Sequence, residues 1–192
     1  MKFVVSGGTG FLGRPLAERL ASDGHKVIVL TRGGGRTEGT HEDRTLEEAR
    51  WNPEGESSDW SAVFGGVDVV INLAGESIAG RRWTDAQKLR IRESRIQSTR
   101  ALVEAMRRAQ KPPALFVSGS AVGYYGSRGD ELLNERSAPG KDFLAEVCIE
   151  WETEAKKAAD FARVVLVRTG IVLDRDGGAL QQMILPFKVF AG

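Results

Sequence analysis

The stretch Lys2–Gly13, reading Lys-Phe-Val-Val-Ser-Gly-Gly-Thr-Gly-Phe-Leu-Gly, constrains the fold more than any other part of the chain. Phe3, Val4 and Val5 form a short apolar run of buried-strand type, and Leu12, Leu16 and Leu20 beyond the glycines recur at helical spacing. A strand, a glycine loop and a helix are therefore predicted back to back. Gly7, Gly10 and Gly13 stand three apart. In such a loop one residue without Cβ allows the tight turn, another lets backbone N–H groups approach a pyrophosphate, and Gly13 lets the helix pack against the strand. The helix N-terminus adds partial positive charge where a diphosphate would sit. With a strand before it and a helix after it, the loop reads as a dinucleotide site, the alternative being a ligand-free structural turn.

The first helix is expected to end at Asp23-Gly24, and Lys26–Thr31, with apolar, mostly β-branched Val27 to Leu30, reads as a second strand. That closes a βαβ unit. The tip of its second strand selects the cofactor, because an acid there would bind the ribose 2′-hydroxyl of NAD, whereas an Arg accommodates a 2′-phosphate. The tip here is Thr31-Arg32, without an acid. A carboxylate would repel the phosphate, and a guanidinium offers it a planar fork of donors, so NADP(H) is expected over NAD(H). The bland alternative is an Arg that ends the strand in solvent.

Residues 33–59 are polar and aperiodic, with one short strand expected near Ala49–Asn52. His41 lies there without a partner at metal-ligand spacing and reads as solvated. Val67–Leu73 is the next buried strand, followed by Ala74-Gly75 and by Glu76, either a site carboxylate or a helix-entry charge. Thr84–Ala109 reads as one long helix, opened by Thr84-Asp85, with Leu89, Ile96, Val103 and Met106 apolar among many charges. Pro112-Pro113 end it, Ala114–Val117 forms a strand, and Arg163–Arg168 forms the last one. Ala179–Phe190 is strongly apolar and expects a cover that the chain to Gly192 does not supply.

Several segments together carry a family resemblance. Ser6–Gly13 resembles the cofactor loop of extended and atypical short-chain dehydrogenase/reductases of nucleotide-sugar epimerase type. Asn72–Glu76, Arg81–Trp83, Ser94-Arg95, Gly123–Gly126, Phe143–Cys148 and Arg168–Leu173 resemble the "epimerase family protein" branch of that group. The resemblance runs nearly end to end. Since such proteins continue beyond 192 residues, it implies that residues 1–192 are an NAD(P)-binding Rossmann domain whose C-terminal substrate-binding part lies outside this chain. It further implies cofactor contacts from Gly7, Thr9, Gly10, Phe11, Leu12, Gly13, Thr31 and Arg32. Leu73 and Ala74 would form a wall over the adenosine and its phosphates, with Arg90 and Arg95 directed from the long helix, Ile171 on the nicotinamide side, and Ser118 a further cofactor contact. Bottom-up, Arg90 and Arg95 are equally well charges on a solvated helix face. Extended relatives pair through this helix and the later one, so the resemblance also implies a homodimer as an assembly state.

The chemistry departs from the family's pattern. Ser118–Gly126 resembles S-S-A-x-x-Y-G, in which the serine before alanine bonds the substrate hydroxyl, and that serine is Ser120 here. The usual general acid/base is a tyrosine on the next helix with a lysine four residues later, whose charge lowers the phenol pKa. Phe143 takes the tyrosine position and Val147 the lysine position, and neither transfers a proton. Phe143, Leu144, Val147, Cys148 and Trp151 instead form an apolar helix face. Tyr124 and Tyr125 are the two tyrosines of the chain, and either could substitute as the acid, with Tyr124 the one named beside Ser120. A phenol near its reference pKa of ~10 is a poor base without a cation nearby.

The expected fold is a doubly wound α/β Rossmann domain with six or seven parallel strands. Its activity is that of an NADP-dependent oxidoreductase or epimerase-like enzyme on a small hydroxylated or nucleotide-sugar substrate, or else that of a non-catalytic NADP-binding sensor or scaffold. With 27 basic and 26 acidic residues, the charge balance offers no argument for nucleic acid or an anionic membrane. A single cysteine, Cys148, excludes an intrachain disulfide framework and fits a reducing compartment. No run of ~20 apolar residues spans a bilayer, and strand residues from position 2 leave no room for a cleavable signal, so a cytoplasmic protein is expected.

Overall fold

Alternation along the inner strands splits the core into two layers, because successive side chains of a strand point to opposite faces. In β1 (Lys2–Ser6), β2 (Lys26–Thr31) and β4 (Val69–Asn72), Val4, Ile28, Leu30 and Val70 face one side and Phe3, Val5, Val27, Val29, Val69 and Ile71 the other. The strands are apolar on both faces, as a parallel sheet covered on both sides requires. On the first face they meet α2 (Asp85–Arg108) and α3 (Phe143–Lys156). Fully buried Leu102, Met106 and Phe116 sit in that layer, each contributing roughly 2 kcal/mol by removal from water. On the second face they meet α1 (Gly13–Ser22) through Leu16, Ala17 and Leu20.

The computed structural model describes residues 1–33, 45–55, 60–175, 177–180 and 183–184. The expectations for His41 and for most of the Ala179–Phe190 run fall outside them. With β3 (Leu46–Arg50), β5 (Leu115–Ala121) and β6 (Arg163–Thr169), the described residues form a six-stranded sheet in the order β3-β2-β1-β4-β5-β6, parallel at every pairing. This is the doubly wound α/β Rossmann order, and its switch point lies between β1 and β4. A small antiparallel hairpin, β7 (Leu173–Asp174) with β8 (Gly177–Gly178), follows.

Local chemistry sets the boundaries. Thr84 Oγ1 accepts from the Gln87 N–H at 3.2 Å, and Asp142 Oδ1 accepts from the Ala145 N–H at 2.9 Å, so α2 and α3 each start on a side-chain cap. Gly24, at φ +82°, ends α1. β4 is shorter than the expected Val67–Leu73 and β6 one residue longer than expected, and two strands differ by more at one end. β3 starts three residues before the expected Ala49, because its backbone pairs with Val27–Thr31 from Leu46 onward despite two glutamates. β5 runs on to Ala121, since pairing with β6 continues through Ser118, Gly119 and Ser120, which puts both serines on the strand. Among the described residues no helix is long and apolar enough to cross a membrane.

Candidate functional site

A cleft of about 410 Å³ opens at the carboxyl ends of β1, β2 and β4, beside the switch point. Gly7, Thr9 and Gly10 form one wall, Thr31 and Arg32 a second, Leu73, Ala74, Gly75 and Glu76 a third, and Arg90, Glu93 and Gln97 of α2 the fourth. Trp51 and Pro53 line the end nearest β3. The cleft carries both signs of charge. Glu93 is engaged by Arg92 and Gln97, and Arg90 holds the Gln87 Oε1 at 2.6 and 3.0 Å. Arg32 is exposed and makes no hydrogen bond or ion pair among the described residues. The neighbouring Thr31 hydroxyl, by contrast, is fixed by the backbone N–H and carbonyl of Gly33.

The three glycines of the loop divide their roles differently from the expectation. Gly7 adopts φ +71°, and a Cβ on it would lie 2.6 Å from the Leu73 carbonyl, so the loop and the end of β4 touch backbone to backbone. Gly13 packs on the loop itself, not on the strand: a Cβ there would fall 2.1 Å from the Gly7 oxygen and 2.7 Å from the Gly8 Cα. Gly10 is the open one, where a Cβ would meet just the Gly7 oxygen at 3.2 Å. Beyond Gly10, α1 begins at Gly13 after Leu12 at the N-cap position, with no side-chain cap and no acid in its first turn. The first N–H groups of a helix lack intrahelical acceptors, and here no side chain competes for them. Room at Gly10, uncompensated N–H groups and an unpaired guanidinium fit the phosphates of a dinucleotide such as NADP(H). Phe11 places its ring against Gly177 and Gly178 of the hairpin, and Leu12 is half exposed at the helix start.

The wall after β4 is tied down from beneath. Ser6 Oγ donates to Asn72 Oδ1 at 2.7 Å, Asn72 Nδ2 donates to Thr99 Oγ1 at 2.8 Å and reaches Ser118 Oγ at 3.5 Å, so buried polar groups link β1, β4, β5 and α2. The Glu76 N–H donates to Ser94 Oγ. Arg95 donates to the carbonyls of Glu76 and Ile91 at 3.0 and 2.9 Å and lies over the Trp151 ring at 5.3 Å. Burial lowers its pKa from the usual arginine value. Arg95 thus supports the cleft wall from outside the lining, whereas Arg90 lines the cleft. Ile171 is 74% exposed beyond β6 and lines neither cleft described here.

At the ends of β5 and β6 the side chains close on one another. The buried Ser120 hydroxyl donates to Glu152 Oε1 at 2.7 Å. Glu152 is 1% exposed on α3 and receives two further bonds from Arg168 of β6, at 2.7 and 2.9 Å. Burial alone would raise the Glu152 carboxyl, but the hydrogen bonds from Arg168 and Ser120 outweigh it and hold the group below the ordinary carboxylate range. The same bonds from Glu152 raise Arg168. Arg168 Nη1 also donates to the Tyr125 hydroxyl at 2.9 Å, and its guanidinium lies 3.5 Å from the Tyr124 ring centre. A cation therefore stands beside both tyrosines. Neither Glu152 nor Arg168 was identifiable from sequence: α3 reads as an apolar face with flanking charges, and a carboxylate at position 152 has the same spacing as a solvated one.

The family's tyrosine and lysine positions are structural here. Val147 is 3% exposed in the core, and Phe143 stands edge-on to Trp83 with ring centres 5.7 Å apart. A second cleft of about 290 Å³ lies against Phe143, lined also by Trp83, Gly123, Gly126, Asp142 and Leu144. Cys148 is buried, which raises its thiol, as a core residue would be.

The profile of the NAD dependent epimerase/dehydratase family matches residues 3–173. The chain is 42% identical to the epimerase family protein SDR39U1 homolog, chloroplastic, of Arabidopsis thaliana, covering all of this chain and 55% of that protein. It superposes on human epimerase family protein SDR39U1 (isoform 2), solved with NADPH, with a TM-score of 0.83 at 32% identity, over all of this chain and 61% of that one. The nucleoside-diphosphate sugar epimerase of Corynebacterium glutamicum gives a TM-score of 0.81 at 36% identity, over 98% of this chain and 38% of that one. The chain thus spans between about two fifths and three fifths of these relatives' lengths.

Proposed function

The chain belongs to the NAD dependent epimerase/dehydratase family, and on that premise we propose that it binds NADP(H) in the cleft at the switch point and serves an NADP-dependent oxidoreductase or epimerase-like reaction on a small molecule. The observation that carries the cofactor reading is Arg32, unpaired among the described residues at the cleft wall, with no acid at the tip of β2. The human relative solved with NADPH supports the same choice. In this reading the N–H groups of Phe11 to Gly13 hold the diphosphate, while the Gly10 N–H holds the turn by donating to the Gly7 carbonyl at 3.0 Å; Arg32 and Thr31 hold the 2′-phosphate side, and Leu73 and Ala74 cover the adenosine. The bound nicotinamide supplies hydride chemistry, and the protein's share is placement and polarisation.

Ser120 enters that chemistry as an acceptor, because its proton is given to Glu152, and Tyr124 remains the phenol that is half exposed. The replacement of the tyrosine and lysine by Phe143 and Val147 favours a second reading, an NADP-binding sensor or scaffold without turnover. We place the protein in the cytoplasm, a reading supported by its lone buried cysteine. Calorimetric titration with NADPH and NADH tests the cofactor proposal. Tighter NADPH is expected, and equal or tighter NADH overturns it. Steady NADPH oxidation against a carbonyl panel separates the enzyme from the sensor.

A further inference from the structure

The cleft at Phe143 sits one strand along the sheet from the cofactor cleft. Its walls come from the segment before α2, from the turn after β5 and from the start of α3, all at the carboxyl ends of the strands. Hydrocarbon dominates those walls. Trp83 and Phe143 meet edge to face, and the Trp83 Nε1 is already given to the Ile78 carbonyl at 2.8 Å. Leu144 lies against Gly123, where a Cβ would come 3.4 Å from its own Cβ, so the turn after β5 presents flat backbone beside the leucine. The single charged residue of the lining is Asp142, whose Oδ1 is committed to capping α3. Lys88 stands outside the lining, with its ammonium 5.7 Å from the centre of the Phe143 ring.

A nucleoside diphosphate needs cationic or N–H donors for its phosphates; this lining has no cationic side chain, and the one α-helix start in it, that of α3, is capped by the Asp142 carboxylate, which repels a phosphate there. About 290 Å³ is also at the small end of ligand pockets. We infer that this cleft is the substrate pocket of the proposed cofactor site, and that it selects a planar apolar ring, not a nucleotide sugar. The inference rests on the NADP(H) reading for its catalytic meaning, but the ring pocket itself is tested without cofactor. Trp83 and Phe143, edge to face with each other, leave aromatic surface in the lining against which such a ring can pack, while Leu144 closes its rim.

The test uses this chain, with 2-naphthaldehyde as the ring probe and UDP-glucose as the competing class, titrated by ligand-observed NMR with and without NADPH. Naphthaldehyde is expected to bind at least tenfold more tightly than UDP-glucose. Its affinity should fall at least tenfold in both Trp83→Ala and Leu144→Glu, at unchanged melting temperature and with NADPH affinity within twofold of the parent. No naphthaldehyde binding, equal binding in parent and both variants, or tighter UDP-glucose overturns the inference. Ring binding that persists while NADPH fails to bind would remove the cofactor reading alone and leave the ring pocket standing.

Discussion

The ends of β1, β2 and β4 differ in kind from the ends of β5 and β6. The first group is open: Gly10 is the least crowded of the three spaced glycines, α1 starts uncapped and Arg32 is unpaired among the described residues. The second is closed, with Ser120, Glu152, Arg168 and Tyr125 satisfying one another around a buried carboxylate. Unspent donors mark a place where a ligand completes the hydrogen bonding, while a satisfied charge network holds a shape. The first end thus has donors left for a ligand, and the other end holds Ser120 and the tyrosines in one arrangement.

The largest effects should come from breaking each end at its tightest contact. Gly13→Ala forces a Cβ into the Gly7 carbonyl, and a loss of about 3 kcal/mol or more is expected, as for other overpacked backbone contacts, read as a large fall in melting temperature or failure to fold. Gly10→Val, at the open position, should keep the fold yet abolish NADPH binding in the same calorimeter. A folded Gly10→Val that retains NADPH would show the loop to be structural.

At the closed end, Glu152→Ala leaves Arg168 facing a buried void. Breaking such a pair costs about 3 kcal/mol, measurable by urea denaturation. The double change Glu152→Leu with Arg168→Met should recover more than half of it, because no charge is then left unpaired. If the single change is neutral, the network is not holding the β5–β6 end. A smaller effect is expected from reversing the charge at the open end. Arg32→Glu should weaken NADPH by ~2 kcal/mol, about thirtyfold, through a lost charge-assisted bond and a new repulsion, with NADH nearly unchanged. Parallel losses for both cofactors would mean that Arg32 does not read the 2′-phosphate.

The mildest distinction is in pH. Glu152 is held below its ordinary range in the fold, and an unfolded glutamate titrates near ~4.3. A group with a depressed folded pKa contributes stability that is complete above the unfolded value and is lost as pH falls through the folded one. Melting temperatures from pH 7 down to pH 3 should therefore fall less steeply in Glu152→Gln than in the parent. Identical slopes would show that other carboxylates, such as the similarly lowered Glu154, dominate acid unfolding.

Residues whose role is set by their chain neighbours were legible in sequence. The run Phe3–Val5, the glycines and Lys26–Thr31 announced β1, the loop and β2, because strand periodicity and glycine geometry are local properties. The caps Thr84 and Asp142 follow the same logic, although Asp142 went unread beside the apolar run it introduces. The loop also gave the cofactor class. The place of Arg32 at the tip of β2 and on the cleft wall was legible for a different reason: the βαβ length supplies it.

What the tertiary structure decided is which of several equivalent side chains meet. Arg90 and Arg95 are both arginines on α2, five residues apart, yet one lines the cleft and the other is spent on the carbonyls of Glu76 and Ile91. Glu152 has the sequence surroundings of any helical glutamate, and only the register of β6 against β5, which pairs Arg168 with Ser120, brings three distant polar groups together. The sequence alone determined the βαβ frame and its glycine loop, because propensity and periodicity act within one element. The packing of α3 on β5 and β6 determined the closed end, because a charge becomes structural only when distant elements remove its water and supply its partner.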